Sequence, residues 1–376
     1  KKYLRELWVL FLVLTMVVSM MPTMAFAAGE GEEPTEITTA EEFAAMKADG
    51  NYRLANDITV TEPYKSTFKG TFDGDGNTVN LNINVTSGNA GLFSETGSGA
   101  VIRNVNVHAD VTSSVASTSY GTGGLIGKVN YPATIENCGV SGTVTNTASS
   151  GLAVYVGGLV GYQNDTLNLK NCYSAAAVTS NGTSYSSSAG GLVGKGANYA
   201  ITAENCYSSG DVNVSGGYAG GLIGNGYANT AKPHSYINCY AAGTVTGSSD
   251  VYGFMYYNSG DAYCTVKNCY YNSDNEKGFN GTAEGLSGKS AEELRGLAGQ
   301  LGGEYREDTG NLNGGYPILN WQYIDPEATA EVTLTVEPEN SVLTWNGQEQ
   351  EVSASGVYTF SGVKTGKYSY QITNEA

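Results

Sequence analysis

The feature that most restricts what this chain can fold into is a repeat. Asn137-Cys138, Asn171-Cys172, Asn205-Cys206, Asn238-Cys239 and Asn268-Cys269 recur at steps of 34, 34, 33 and 30 residues. A second series, Gly123-Gly124-Leu125-Ile126-Gly127, returns at 157–161, 190–194 and 220–224, at steps of 34, 33 and 30 and in a constant order relative to the first. A period near 33 residues admits helical as well as β solenoids. The units, however, are runs of Val, Thr, Ser, Tyr and Gly without helical periodicity, so each unit reads as one β-coil.

Coils stacked in a parallel solenoid place equivalent residues about 4.8 Å apart, and columns read relative to the Asn should then be chemically uniform. Val111, Val144, Val178, Val212 and Val245 form one such column, and Ile102, Ile135, Leu169, Ala203, Tyr236 and Val266 another; both are expected inside. Arg103, Glu136, Lys170 and Glu204 alternate in sign, as a solvent-facing charge ladder would. The Asn column (Asn104, Asn137, Asn171, Asn205, Asn238, Asn268) suits a corner, because Asn tolerates a left-handed backbone and its amide can bond along the stack. The Gly-Gly pair is expected at another bend, for positive φ and for close packing of neighbouring coils.

Asn171-Cys172-Tyr173 with Gly190 to Gly194 resembles the GLUG repeat of Gram-positive surface proteins, a repeat also found beside some immunoglobulin A-cleaving metallopeptidases. Phe68 to Gly76 (FKGTFDGDG) resembles the coil that precedes such repeats, and Gly314 to Gln322 (GGYPILNWQ) their exit segment. The resemblance covers about residues 35 to 322. It implies a β-helix and a surface setting, and it carries no catalytic residues to transfer.

The amino terminus points the same way. Lys1, Lys2 and Arg5 precede an apolar run, Leu7 to Met21, and Ala25-Phe26-Ala27 supplies small residues for cleavage, so residues 1–27 read as a secretory signal peptide. Its apolar run is shorter than the ~20 residues a membrane span needs, and no later segment qualifies. The protein is therefore expected outside the cell, secreted or on its surface, with no membrane span once the signal peptide is removed. Removal leaves 16 basic against 35 acidic residues, which makes nucleic acid a poor partner. The first residue is not Met and the last strand-like run stops at Ala376, which suggests a piece of a longer gene product.

Residues 28–36 read as an acidic linker and 37–322 as the β-helix with its caps. Thr39-Ala40-Glu41-Glu42 is a capping box that predicts a helix over Thr39 to Lys47, covering the open first coil. A second helix, Ser290 to Leu301, places Leu294, Leu297 and Leu301 on one face and is expected to close the far end. Residues 323–330 read as a linker, and 331–376 as a truncated sandwich module with strands at Glu331 to Val336, Gly356 to Phe360 and Gly366 to Ile372. The fold expected is all-β: a right-handed parallel β-helix with short capping helices, then a partial β-sandwich.

Reactive chemistry is sparse. Asp73-Gly74-Asp75-Gly76-Asn77 begins like a calcium loop but has Thr78 and Asn84 where that loop needs Gly and Glu, so a tight turn is the better reading. Ala283 stands where a phosphate loop ending in Gly288-Lys289-Ser290 would need Gly. Five of the six cysteines share one column, which suits buried thiols but leaves open a bridge or two, including Cys264 with Cys269; a straight ladder makes no tetrahedral metal site. Asp110 and Asp211 share a column three coils apart, about 14 Å, too far for paired glycosidase carboxylates. His108 and His234 bear no regular relation to each other or to an acid. No catalytic residue, cofactor or metal is therefore expected.

The most suggestive surface feature is aromatic. Tyr173, Tyr207, Tyr240 and Tyr270 follow the column cysteines and should turn outward if Cys turns in. Such a stripe could stack sugar rings or protein side chains, or simply stabilise the coils from outside. The Ser/Thr/Gly-rich loops, such as Ser180 to Ser188, vary in length and offer another binding face. The expected function is a non-enzymatic adhesin or display protein of a Gram-positive bacterium that contacts host or microbial glycans or proteins. The rival is a region that positions a polysaccharide or peptide for a catalytic domain beyond Ala376.

Overall fold

Each repeat closes one turn of a four-walled parallel β-helix of about six turns. The structure, a computed structural model, describes residues 33–323 apart from 198, 228, 230, 258–262, 276 and 282; beyond 323 it describes only the backbone of five strands. The proposed signal peptide and most of the acidic linker lie outside the described residues. Among the described residues no helix is long and apolar enough to cross a membrane.

One turn shows the plan. Ala133–Glu136 lies in the first wall, Asn137 turns the corner, and Gly139–Asn146 runs along the second. A loop leads to Tyr155–Gly157 in the third wall, and Val160–Gln163 forms the fourth. The four walls contain nine, twelve, five and seven strands, and every pairing within them is parallel.

The inward columns are as the repeat predicts. Ile102, Ile135, Leu169, Ala203, Tyr236 and Val266 pair in strict register, and all but the half-buried Val266 are in the core. The valine column is buried throughout. The outward charge column runs further than the repeat shows: Glu36, Arg53, Asp73, Arg103, Glu136, Lys170 and Glu204 stack in register with alternating sign. Arg53 pairs with Glu36, Arg103 with Asp73 at 2.8 Å and Lys170 with Glu136 at 3.6 Å.

The asparagines form a continuous amide ladder. All six have φ between 50° and 54°. Each amide from Asn137 to Asn268 donates to the preceding Asn carbonyl oxygen at 2.9–3.1 Å. The first donor, Asn104, finds the Asp73 carboxylate at 3.0 Å, and the last carbonyl, on Asn268, accepts from the Tyr270 hydroxyl at 2.8 Å. The glycine pairs work differently from the expectation: none of Gly123, Gly157, Gly190 and Gly220 has positive φ. They are needed for close approach, since a Cβ on Gly123 would fall 2.7 Å from the Gly161 nitrogen and one on Gly157 2.6 Å from that of Gly194.

The first turn is capped as expected. A short helix, α1 (Ala40–Ala44), starts at the Thr39–Glu42 capping box and drives Phe43 into the open end, edge-on to Tyr64, Phe72 and Phe93 at 6.0, 5.8 and 5.6 Å. Burying such a ring stabilises the end by roughly 1.5–3 kcal/mol. The second predicted helix is broken at Gly296 into α2 (Ala291–Arg295) and α3 (Ala298–Leu301). It does not close the far end; its leucines pack on the outside of the second wall. Lys277–Phe279 crosses the last turn instead, with Gly278 carbonyl accepting from Phe254 and Met255 and Phe279 stacked on Tyr257 at 5.6 Å.

Beyond residue 323 the strands pair antiparallel. Thr329–Leu334 runs against Gly356–Ser361, and Ser341–Trp345 lies between Gln348–Val352 and Gln371–Asn374.

Candidate functional site

The stripe of Tyr173, Tyr207, Tyr240 and Tyr270 does turn away from the solenoid interior. Neighbouring rings stack, with centroids 5.2 Å apart for Tyr173 and Tyr207 and 4.9 Å for Tyr207 and Tyr240. Its middle, Tyr207 and Tyr240, is not open to a ligand. The segment after the last turn folds back over it, so that Leu294, Leu297, Leu301, Tyr305 and Leu319 close a second apolar core around Tyr207 and Tyr240, both 0 % exposed. The Tyr207 hydroxyl donates to Gln322 Oε1 at 3.0 Å and the Tyr240 hydroxyl to the Pro317 carbonyl. The Trp321 indole N–H reaches the Asn171 carbonyl at 2.9 Å, its ring 5.7 Å from Tyr173. Burial pushes the Tyr173 hydroxyl up to about 12 and raises those of Tyr207 and Tyr240 well above their ordinary value.

The structure corrects the ligand-binding stripe at Tyr207 and Tyr240, whose apolar faces are taken by the chain's own exit segment; Tyr173, half-buried, packs against its edge. Tyr270, half-buried, ends the asparagine ladder.

The other singled-out residues are likewise engaged. Cys138, Cys172, Cys206, Cys239 and Cys269 are free thiols. The thiols of Cys172, Cys239 and Cys269 point at the carbonyls of Ile135, Ala203 and Tyr236 at 3.4 Å, and burial pushes Cys138, Cys206 and Cys269 well up. Asp73 holds Arg103, Asn104 and the Asp75 amide, which is tight-turn chemistry. Asp110 faces Thr143 at 3.4 Å, while Asp211 accepts from the Thr244 amide at 2.8 Å. His108 lies 3.1 Å from Ser141 Oγ. His234 is buried between the Tyr199 carbonyl and the Tyr236 hydroxyl, each 3.0 Å away, and burial lowers it to about 4. Among the described residues no three His, Cys, Asp or Glu side chains converge to hold a metal.

A face the repeat did not single out, along the third and fourth walls, is not covered by the exit segment: Tyr155, Ser188, Tyr218, Asn225 and Tyr252 are buried in it, Lys128, Tyr162, Lys195 and Tyr256 are half-buried, and Tyr185 is exposed. Two in-register columns meet there. Tyr155, Ser188, Tyr218 and Asp250 lie on the third wall, and Lys128, Tyr162, Lys195, Asn225 and Tyr256 on the fourth. Rings touch across the two: Tyr155 and Tyr162 at 5.1 Å, Tyr218 and Tyr256 stacked at 4.0 Å. Tyr252 joins Tyr256 at 5.6 Å, and Tyr185, on the variable loop and 65 % exposed, stands edge-on to Tyr218 at 5.2 Å. Burial, with the neighbouring Tyr185 and Tyr256 hydroxyls, raises the Tyr218 hydroxyl.

Lys195 opens into a depression of about 390 Å³ lined also by Gly196, Ala197 and Tyr227, and burial lowers its ammonium to about 8. Lys128 sits 5.7 Å from the Tyr162 ring centre, and Lys232, at the corner leading back to the first wall, 5.2 Å from that of Tyr199. These residues were findable. Tyr155 and Tyr218 each stand two positions before a repeat glycine, and Lys128, Tyr162, Lys195 and Asn225 each five after one. Tyr256 breaks the count because the register slips between Ile223 and Asn225.

Residues 118–145, which pass through all four walls, match the family model of the GLUG motif. None of the curated proteins matches the chain in sequence. Among solved structures it is similar to the 1.30 Å crystal structure of a "putative immunoglobulin A1 protease from Bacteroides ovatus", with a TM-score of 0.58 and 23 % identity over 77 % of this chain and 93 % of that one. At that identity the likeness shows a shared fold. The chain is an all-β parallel solenoid that carries a GLUG motif in one of its turns.

Proposed function

We propose that this chain is a secreted or surface-associated bacterial adhesin or display protein, non-enzymatic in itself, which binds glycans through the tyrosine face of the third and fourth walls. The observation that carries the reading is the cluster of Tyr185, Tyr218, Tyr252 and Tyr256. Four rings are held together by stacked coils and are not covered by the exit segment; Tyr185 is 65 % exposed and Tyr256 half-exposed, and they rest on the buried Tyr218 and Tyr252. Tyrosines joined in this way offer apolar faces for sugar rings and hydroxyls for their polar edges. The signal-peptide pattern, the GLUG motif and the acidic composition support a place outside the cell.

A glycan array probed with the full chain tests it. Tyr185→Ala/Tyr256→Ala should weaken binding about tenfold or more, each ring contributing ~1 kcal/mol. Unchanged binding would remove the face from the account. The printed name of the Bacteroides protein keeps a second reading in view, in which this solenoid positions a polysaccharide or peptide for a catalytic domain elsewhere in a longer product. A zinc-protease motif in the sequence beyond Ala376 would favour that reading over a simple adhesin.

A further inference from the structure

We infer that the ligand of the tyrosine face is an acidic glycan, and that one of its carboxylates ion-pairs with Lys195. This rests on the binding reading above and adds the charge of what is bound. The argument begins with where the chain spends its bases. It has 36 acidic and 19 basic residues, so carboxylates are in surplus. On the first wall Arg53, Arg103 and Lys170 are each matched to an acid in the adjacent turn. On the fourth wall and its corner Lys128, Lys195 and Lys232 form no ion pair with any described carboxylate. Glu95, one turn before Lys128 in the same column, is in register with it but not paired.

Lys128 and Lys232 rest over tyrosine rings, whereas Lys195 has neither ring nor acid among the described residues. A half-buried ammonium without a counter-ion is costly, because desolvation penalises the charged form and nothing repays it. Lys195 is lowered to about 8 for that reason, and a carboxylate delivered by a ligand would restore the charge-assisted bond it lacks. The next residue in the column, Asn225, is 1 % exposed and its Oδ1 has no hydrogen-bond partner among the described residues.

The surroundings favour a sugar over an acidic peptide. Tyr162 stands one turn from Lys195 and Tyr256 two turns on the other side, so rings bracket the charge along a line of about 14 Å. Lys128, two turns or about 10 Å from Lys195, supplies a second positive charge on the same line. Alternating rings and charges along one straight column fit a chain of sugar units in which some carry a carboxylate.

The test compares charge alone. Calorimetric titration of the full chain would use 3′-sialyllactose, oligogalacturonate and a hyaluronan oligomer, each beside its carboxyl methyl ester. At least one acid should bind about tenfold or more tightly than its ester, with the preference shrinking as salt is raised. Lys195→Gln should abolish that preference and Lys195→Arg retain it, while Tyr256→Ala should weaken acid and ester alike. Equal binding of acid and ester by the wild type overturns the inference and leaves the tyrosine reading standing. So does a preference that survives Lys195→Gln. A polyglutamate peptide bound more tightly than every glycan overturns it in favour of a protein ligand. Failure to bind any glycan in either form overturns both readings. The wild-type comparison involves no variant, so a folding defect cannot mimic any of its outcomes.

Discussion

Replacing Asn205 with alanine probes what holds the corner of each turn. Asn205 is buried in the middle of the ladder, with its amide donating to Asn171 Oδ1 and its carbonyl oxygen accepting from Asn238 Nδ2, both at 3.0 Å. Alanine leaves the buried Asn171 oxygen and the half-buried Asn238 amide without these partners. A fully buried orphan costs roughly 1–3 kcal/mol, and the Asn238 amide costs less because water reaches it. The backbone adds a separate cost. Asn205 has φ of 52°, where an ordinary L-residue is disfavoured by roughly 1–2 kcal/mol and glycine is not. Together these predict a loss of about 3–4 kcal/mol for Asn205→Ala and about 1 kcal/mol less for Asn205→Gly.

The assay must respect the architecture. In a solenoid each turn contacts only its neighbours, so a local defect can open one turn without unfolding the rest. Urea midpoints should therefore be read beside hydrogen exchange of the Tyr207 and Tyr240 backbone amides, which bond to the carbonyls of Cys172 and Cys206 across the affected turns. Both variants should exchange faster there, alanine more than glycine. Equal effects from Ala and Gly would refute the left-handed-strain part of the reasoning. Variants within ~0.5 kcal/mol of wild type would refute the ladder itself.

Three further outcomes follow from the geometry. Trp321→Ala should loosen the exit segment by about 2 kcal/mol, less than a fully buried Trp, and make the Tyr173 and Tyr207 rings accessible to iodination; an unmodified stripe would mean that the leucines alone hold the cover. Alkylation without reductant should leave Cys138, Cys172, Cys206, Cys239 and Cys269 unmodified in the native protein and label all six cysteines in urea, whereas a mass two hydrogens short would reveal a bridge. His234 falls from its ordinary 6.5 to about 4, so the folded state binds its proton less well than the unfolded state. Its stabilising contribution is complete above pH 6.5 and is lost as pH falls through about 4, a change of ~3 kcal/mol that should vanish in His234→Gln. A slope that persists in the variant would assign it to other groups.

The solenoid was legible in the sequence because its physics is periodic. Every turn must solve the same corner, so Asn104 to Asn268 and Val111 to Val245 return at the same offsets and are placed at a bend or inside by the sequence alone. Legibility ended where the period did. The charge column begins at Glu36, but the steps from Glu36 to Arg53 and Arg53 to Asp73 are 17 and 20 residues, since the opening turns are short. The fate of the tyrosine stripe was hidden for a related reason. Tyr207 meets Gln322 across 115 residues and Asn171 meets Trp321 across 150, contacts made by a segment that repeats nothing. Outward orientation is a local property set by strand alternation; exposure is a global one.

That difference decides which face is left for a partner. The first wall neutralises itself, its alternating charges paired turn to turn, so it presents little net field at short range. The second wall spends its tyrosines on binding the exit segment and thereby gains a second core. The third and fourth walls do neither: their tyrosines contact one another, and their lysines form no ion pair with a described carboxylate. Nearest-neighbour stacking also leaves that face free to vary, because a change in the loop bearing Tyr185 alters one turn's surface without disturbing the register of the walls beneath it. A scaffold whose stability comes from the Asn, Val and Cys columns can therefore carry a changing outer surface, and the residues to vary in seeking its ligand are those between Tyr155 and Tyr256 that face outward.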